Sequence, residues 1–201
     1  MLRRRLRRRR SPAGAWQPYA TLAAILGPAL LLLVQKASGD SLTSFGAVIV
    51  PFQGQLWRVL TAPFAYADVG YLFVVSIALV LFSTGVERRL GSTATAVLLV
   101  ACGALGALAA SGIASAQGDT VVIAGGNGIA LGAVAAWFAL RRSEAHHAID
   151  QDYDPIGVAV ATAVLLALPI FESTADVFAG LVGGAVGGLA GLAAAALRAS
   201  E

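Results

Sequence analysis

Few residues of this 201-residue chain could carry chemistry. An amide, Asn127, lies in Gly125-Gly126-Asn127-Gly128, near the start of an apolar run from Val121 to Leu140. The two histidines, His146 and His147, follow that run in a polar loop from Ser143 to Pro155. Acyl transfer needs a nucleophile and a base within about 3 Å of the proton to be moved. An amide is no nucleophile at neutral pH, because its nitrogen lone pair is delocalised into the carbonyl. If the apolar run is helical, a rise of 1.5 Å per residue leaves the histidines on the order of 20 Å from Asn127. A serine elsewhere, such as Ser76 or Ser111, would also lack a base. The loop carries Glu144 and Asp150-Gln151-Asp152-Tyr153-Asp154. Alternating aspartates open a calcium loop, but the glycine at its sixth position and the closing glutamate are missing. That loop is read as solvated, and neither a metal nor a cofactor is expected. Cys102 is the single cysteine. It lies in an apolar run, excludes an intramolecular disulfide and reads as a buried, inert thiol.

These groups sit in a chain that is 58% hydrophobic and 12% charged, with a mean hydropathy of +0.78. A soluble domain carries about twice that charge density. Its apolar residues fall into spans of roughly 20, the length that crosses hydrocarbon as a helix. The expected fold is an all-α polytopic membrane protein with six spans, at residues 17–35, 69–86, 94–113, 121–140, 156–171 and 177–197. A basic tail (1–15) precedes them. Residues 37–68 form a long loop, too broken to span, whose apolar patch Phe45–Phe52 is placed in the membrane interface with Trp57 at headgroup depth. Gly27-Pro28 suggests a kink in the first span.

The sequence pI of about 9.5 belongs to the tail. Arg3, Arg4, Arg5, Arg7, Arg8, Arg9 and Arg10 are half of the 14 basic residues, and without them the net charge changes from +3 to −4. Because the tail abuts an apolar span, it reads as a cytoplasmic anchor near anionic headgroups and not as a nucleic-acid binder. With the N-terminus inside, the cytoplasmic ends gather the tail, Arg88-Arg89, Arg141-Arg142 and Arg198. Only Lys36 and Arg58 of the 14 basic residues fall outside. The expected location is a bacterial plasma membrane, multi-pass, with both termini cytoplasmic.

Four stretches carry a further signal. The first loop has Trp57-Arg58. Span two ends in Glu87-Arg88-Arg89-Leu90-Gly91-Ser92. Span four has Gly125, Gly126, Asn127, Gly128 and then Gly132. Span six has Val177-Phe178-Ala179-Gly180, followed by Gly184. In order and spacing these resemble the rhomboid family of intramembrane serine proteases, over roughly Gly54 to Ala195. The resemblance implies that Asn127 stands at the serine position and Val177 at the histidine position. It also implies that Tyr71 and Val75 stand where the family holds an oxyanion with a histidine and an asparagine. Trp57, Arg58, Glu87, Arg88, Gly91, Gly125, Gly128, Gly132, Gly180 and Gly184 would be retained for structure, with Glu87 capping and pairing at the end of span two. The glycines of span six form two small-residue stripes, Gly180/Gly184/Gly188 and Gly183/Gly187/Gly191. They are expected to pack span six on span four through Gly128 and Gly132, where hydrophobicity gives helices no reason to associate. Asn127 is expected to clasp the Tyr71 hydroxyl through its side chain.

The implied protein is a rhomboid-like pseudoprotease with no catalytic residue. Its partners would be membrane lipids and transmembrane helices of client proteins, with span five and the first loop as a lateral gate. Two alternatives share the frame: an endopeptidase with a non-standard site, and a scaffold subunit of a larger complex. A transporter is disfavoured because the spans hold no ionisable residue deep within them.

Overall fold

The computed structural model describes residues 17–51, 55–145 and 155–199. The arginine tail, Trp16, residues 52–54 and the histidine-bearing segment 146–154 lie outside the described residues, and so do the readings that rest on them.

The chain is an all-α membrane bundle with one small sheet. Its principal helices are α1 (Tyr19–Ser38), α3 (Val69–Ala78) continued through a π turn (Leu79–Ser83) into α4 (Thr84–Leu90), α5 (Ser92–Gln117), α6 (Asn127–Ala145), α7 (Pro155–Phe171) and α8 (Val177–Ala199). Four of these paths are long and apolar enough to cross a membrane: α1, the continuous α3–α4 path, α5 and α8. α7, with 17 residues, is a shorter apolar helix.

α6 has a different character. From Asn127 to Leu140 nearly every residue is buried, with Ala130, Ala133 and Ala136 at 0% exposure. A helix so largely covered by other helices does not have to reach across lipid by itself. Its start corrects the sequence expectation of a span from Val121. Val121–Ile123 is a strand, β2, that pairs antiparallel with β1 (Val48–Val50) in the register Val48↔Ile123, Ile49↔Val122, Val50↔Val121. The pairing satisfies backbone polar groups that helix would otherwise have to satisfy, so the chain can descend unwound to the depth of Asn127 inside the protein.

The same sheet corrects the reading of the first loop. Ala47, Val48 and Val50 are fully buried instead of lying in the interface. The loop folds as a 3-10 turn (Leu42–Phe45), β1, the short helix α2 (Arg58–Thr61) and a second 3-10 turn (Ala62–Phe64). Trp57 is exposed.

α8 lies along α6 with the backbones nearly touching. A Cβ at Gly183 would overlap the Gly128 carbonyl, and one at Gly187 the Gly132 carbonyl. One at Gly191 would stand 2.7 Å from the Ala136 carbonyl oxygen. Gly128 and Gly132 are therefore the α6 half of the contact. On α8 the stripe that makes the closest approach is Gly183/Gly187/Gly191. Gly184 and Gly188 lie beside it and are less crowded.

Candidate functional site

The frame around Asn127 is built from the loop upward. β2 ends at Ile123, and the next two amides are bonded from opposite sides: Ala124 N–H to the Thr174 carbonyl at 3.1 Å, and Gly125 N–H to the Ala62 carbonyl at 2.8 Å. Gly125 has φ +93°, a region that favours glycine, and a Cβ there would overlap the Tyr71 ring. A Cβ at Gly126 would overlap the Tyr66 hydroxyl and stand 3.2 Å from Val75 Cγ1. A Cβ at Gly128 would stand 2.8 Å from the Ala179 carbonyl oxygen and 3.0 Å from that of Cys102. Each glycine of the motif is thus fixed by a different neighbour.

Tyr71 and Val75 are brought to this segment by α3, whose start is capped by Asp68. That carboxylate accepts from the Gly70 and Tyr71 amides at 2.6 and 3.3 Å. Tyr66 and Tyr71 meet edge to face, with ring centroids 5.1 Å apart. Both hydroxyls are turned onto the N-terminus of α6: Tyr66 bonds the Gly126 backbone, and Tyr71 Oη accepts from Asn127 N–H at 3.2 Å. Burial pushes the Tyr66 phenol above its ordinary pKa, so it stays a neutral hydroxyl.

The expected clasp between the Asn127 side chain and Tyr71 is corrected here. Tyr71 binds the backbone amide, and the side-chain Nδ2 donates to the Asp176 carbonyl at 3.2 Å. Asp176 itself caps α8, its Oδ1 accepting from Ala179 N–H at 2.9 Å. The helix start that brings Val177 to this end of the bundle therefore also supplies the amide's partner. Val177 is 38% exposed, whereas Asn127 is 1% exposed. Asn127 Oδ1 accepts no hydrogen bond from the described residues, and Asn127 lines a cavity of about 10 Å³ that it shares with Tyr71, Asp176 and Gly128. That is the scale of a single water. Tyr66 and the Asp176 carbonyl were not legible as site groups, although an aspartate just before an apolar helix is a recognisable cap.

Ser76 and Ser111 are each bonded to a carbonyl of their own helix, that of Leu72 and that of Ala107, both at 2.7 Å. Both histidines of the sequence follow Ala145, the last residue of α6. Nineteen residues of helix separate that end from Asn127, about 27 Å at the α-helical rise. Among the described residues no group of three or more metal-ligating side chains comes together.

The chain matches the Rhomboid domain family over residues 53–197, most of its length. It belongs to the rhomboid family. No curated protein matches it.

The remaining rhomboid motif residues hold the bundle together. Arg58 Nη1 donates to the carbonyls of Thr43 and Ala47, each at 2.8 Å, and its Nε bonds Gln55. Its guanidinium also lies 5.5 Å from the centre of the Trp57 ring. The Trp-Arg pair thereby ties α2 to the turn that leads into β1. Glu87 is fully buried. Its carboxylate accepts from the Ala20 and Thr21 amides at 2.8 and 2.9 Å, from the Thr21 hydroxyl at 2.7 Å and from Ser92 at 2.6 Å. It thus caps the start of α1 from 67 residues away in sequence. Arg88 is exposed beside it. Gly91, at φ +82°, makes the break between α4 and α5.

One result follows for the tyrosine. Tyr71→Phe keeps the ring against Gly125 and removes the acceptor of Asn127 N–H. It should cost about 1 kcal/mol of stability, the net worth of a typical hydrogen bond. Thermal unfolding of the purified variant in mild detergent reads this directly, and an unchanged midpoint would contradict the role given to the hydroxyl.

Proposed function

We propose that this rhomboid is a pseudoprotease: it binds transmembrane segments of other membrane proteins and cuts none of them. One observation carries the reading. In acyl transfer the nucleophile's own backbone N–H is a usual donor to the developing oxyanion. Here the amide N–H at the nucleophile position is bonded to Tyr71 Oη, and the adjoining space is about 10 Å³. A tetrahedral intermediate would have to displace a tyrosine packed against Tyr66 and Gly125. The occupant of the serine position, Asn127, is engaged with the Asp176 carbonyl, and an amide is no nucleophile at neutral pH.

The binding half of the proposal rests on α7. Of its 17 residues only Leu165 and Leu168 are buried. A helix with so little buried apolar surface opens at low cost. We place client entry along α7, with the first loop above it and both termini in the cytoplasm of a bacterial cell. A client helix of weak apolar character would exchange lipid for this partly protein-lined path. Affinity purification from native membranes in mild detergent, with quantitative mass spectrometry, tests the binding. A membrane protein recovered at near-stoichiometric ratio is the expected result. Recovery of the chain alone would count against it.

A further inference from the structure

A cleft of about 640 Å³ runs between α6, α7 and α8, away from Asn127 and towards the ends that carry Arg142 and Arg198. It lies within the size range of ligand-binding pockets. On α8 it extends from Gly180 to Leu192, about 18 Å at the helical rise. That is close to the hydrocarbon depth of one leaflet, about half of the ~30 Å core. A spanning helix would need twice that length.

The walls are hydrocarbon. Among the described residues the one hydroxyl that lines the cleft, on Thr162, is bonded to the Val158 carbonyl of its own helix at 2.8 Å. Arg142, at the end of the α6 wall, is the only charged side chain in the lining among the described residues. It is exposed and makes no hydrogen bond or ion pair with any described residue. Its neighbours at that end are turned onto the protein. Arg141 lies 5.5 Å from the Trp137 ring centre, Arg89 bonds the Gly85 carbonyl at 2.9 Å, and Arg198 bonds the Arg89 carbonyl.

The glycines of the α8 wall point the same way. A Cβ at Gly184 would come no nearer than 3.6 Å to anything, and one at Gly188 would meet only Ala135 Cβ at 3.7 Å. Those are ordinary contacts, so helix packing does not require glycine at either position. Their smallness leaves the cleft open.

We propose that this cleft holds an acyl chain of an anionic phospholipid, with the lipid phosphate bound by Arg142. The apolar walls take the chain, the one-leaflet length places the headgroup at the open end, and Arg142, which bonds no described residue, meets the phosphate there. The proposal is independent of whether the protein cuts or only binds other proteins.

The test uses the full chain in nanodiscs of equal phosphatidylglycerol and phosphatidylcholine, followed by native mass spectrometry of the lipid retained on extraction. Wild type should retain phosphatidylglycerol in preference. Arg142→Gln should reduce that retention about fivefold, the factor expected for one basic residue facing an anionic headgroup. Gly188→Leu should fill the cleft and abolish it, and Arg198→Gln should leave it unchanged. Arg142 is at the surface, so its variant remains informative if Gly188→Leu does not fold. Equal retention of the two lipids by wild type, or an Arg142→Gln variant that retains phosphatidylglycerol like wild type, would overturn the assignment. A photocrosslinker at Gly188 that captures a protein helix and no lipid would overturn it too.

Discussion

Glu87→Ala is expected to destabilise the protein by on the order of 3–5 kcal/mol, since each buried donor left without a partner costs about 1–3 kcal/mol. The substitution strips the acceptor from four donors at once: the Ala20 and Thr21 amides and the hydroxyls of Thr21 and Ser92. The two amides belong to the first turn of α1, which has no side-chain cap of its own. A negative charge at a helix N-terminus is also favoured by the helix dipole. The Thr21 hydroxyl further bonds Ser83 at 2.9 Å, so the loss reaches the π turn. Glu87→Gln keeps one acceptor oxygen and presents an NH2 to the other donors, and should fall between wild type and Glu87→Ala. Unfolding midpoints of the three proteins in one detergent measure this. Equal midpoints would show that α1 does not depend on the carboxylate.

The second large effect is at the α6–α8 contact. Gly187→Ala puts a methyl into the Gly132 carbonyl. Backbone cannot yield as a flexible side chain does, so the helices must separate. Overpacking of this kind costs about 1–3 kcal/mol, and Gly187→Leu should prevent recovery of folded protein. The neighbouring Gly188→Ala should have the opposite sign. Its methyl meets only Ala135 Cβ, at 3.7 Å, and alanine is favoured over glycine inside a helix by about 0.5–1 kcal/mol. Adjacent residues of one helix are thus predicted to respond in opposite directions. If both variants were equally stable, the close backbone approach would be wrong.

Much of the fold is legible in the sequence. Apolar length located the principal helices, and the glycine spacing identified the α6–α8 contact. The boundary of α6 was missed because Val121-Val122-Ile123 is as apolar as the helix that follows, and hydropathy does not distinguish strand from helix. Three β-branched residues between Gly118-Asp119 and Gly125-Gly126 were the available signal. The choice between two glycine stripes on α8 depends on helix rotation, which spacing alone leaves open. Glu87 was recognised as a cap, but its partner at the start of α1 is a tertiary contact that no local pattern encodes. The partner of the Asn127 side chain differs from the expected one because Tyr71, which does face residue 127, bonds its backbone amide instead. A backbone N–H, which every residue but proline has, leaves no mark in the sequence pattern.

The claim that the frame around Asn127 supports packing and not catalysis is tested most directly by Asn127→Ser. Wild type and the variant would be reconstituted, treated with a fluorophosphonate probe and incubated with transmembrane substrates. With Tyr71 bonded to the backbone N–H of residue 127 and both histidines following Ala145, at the far end of α6, in the sequence, neither protein should be labelled or cleave. Labelling of the variant at position 127, or cleavage of a transmembrane substrate by either protein, would contradict the account.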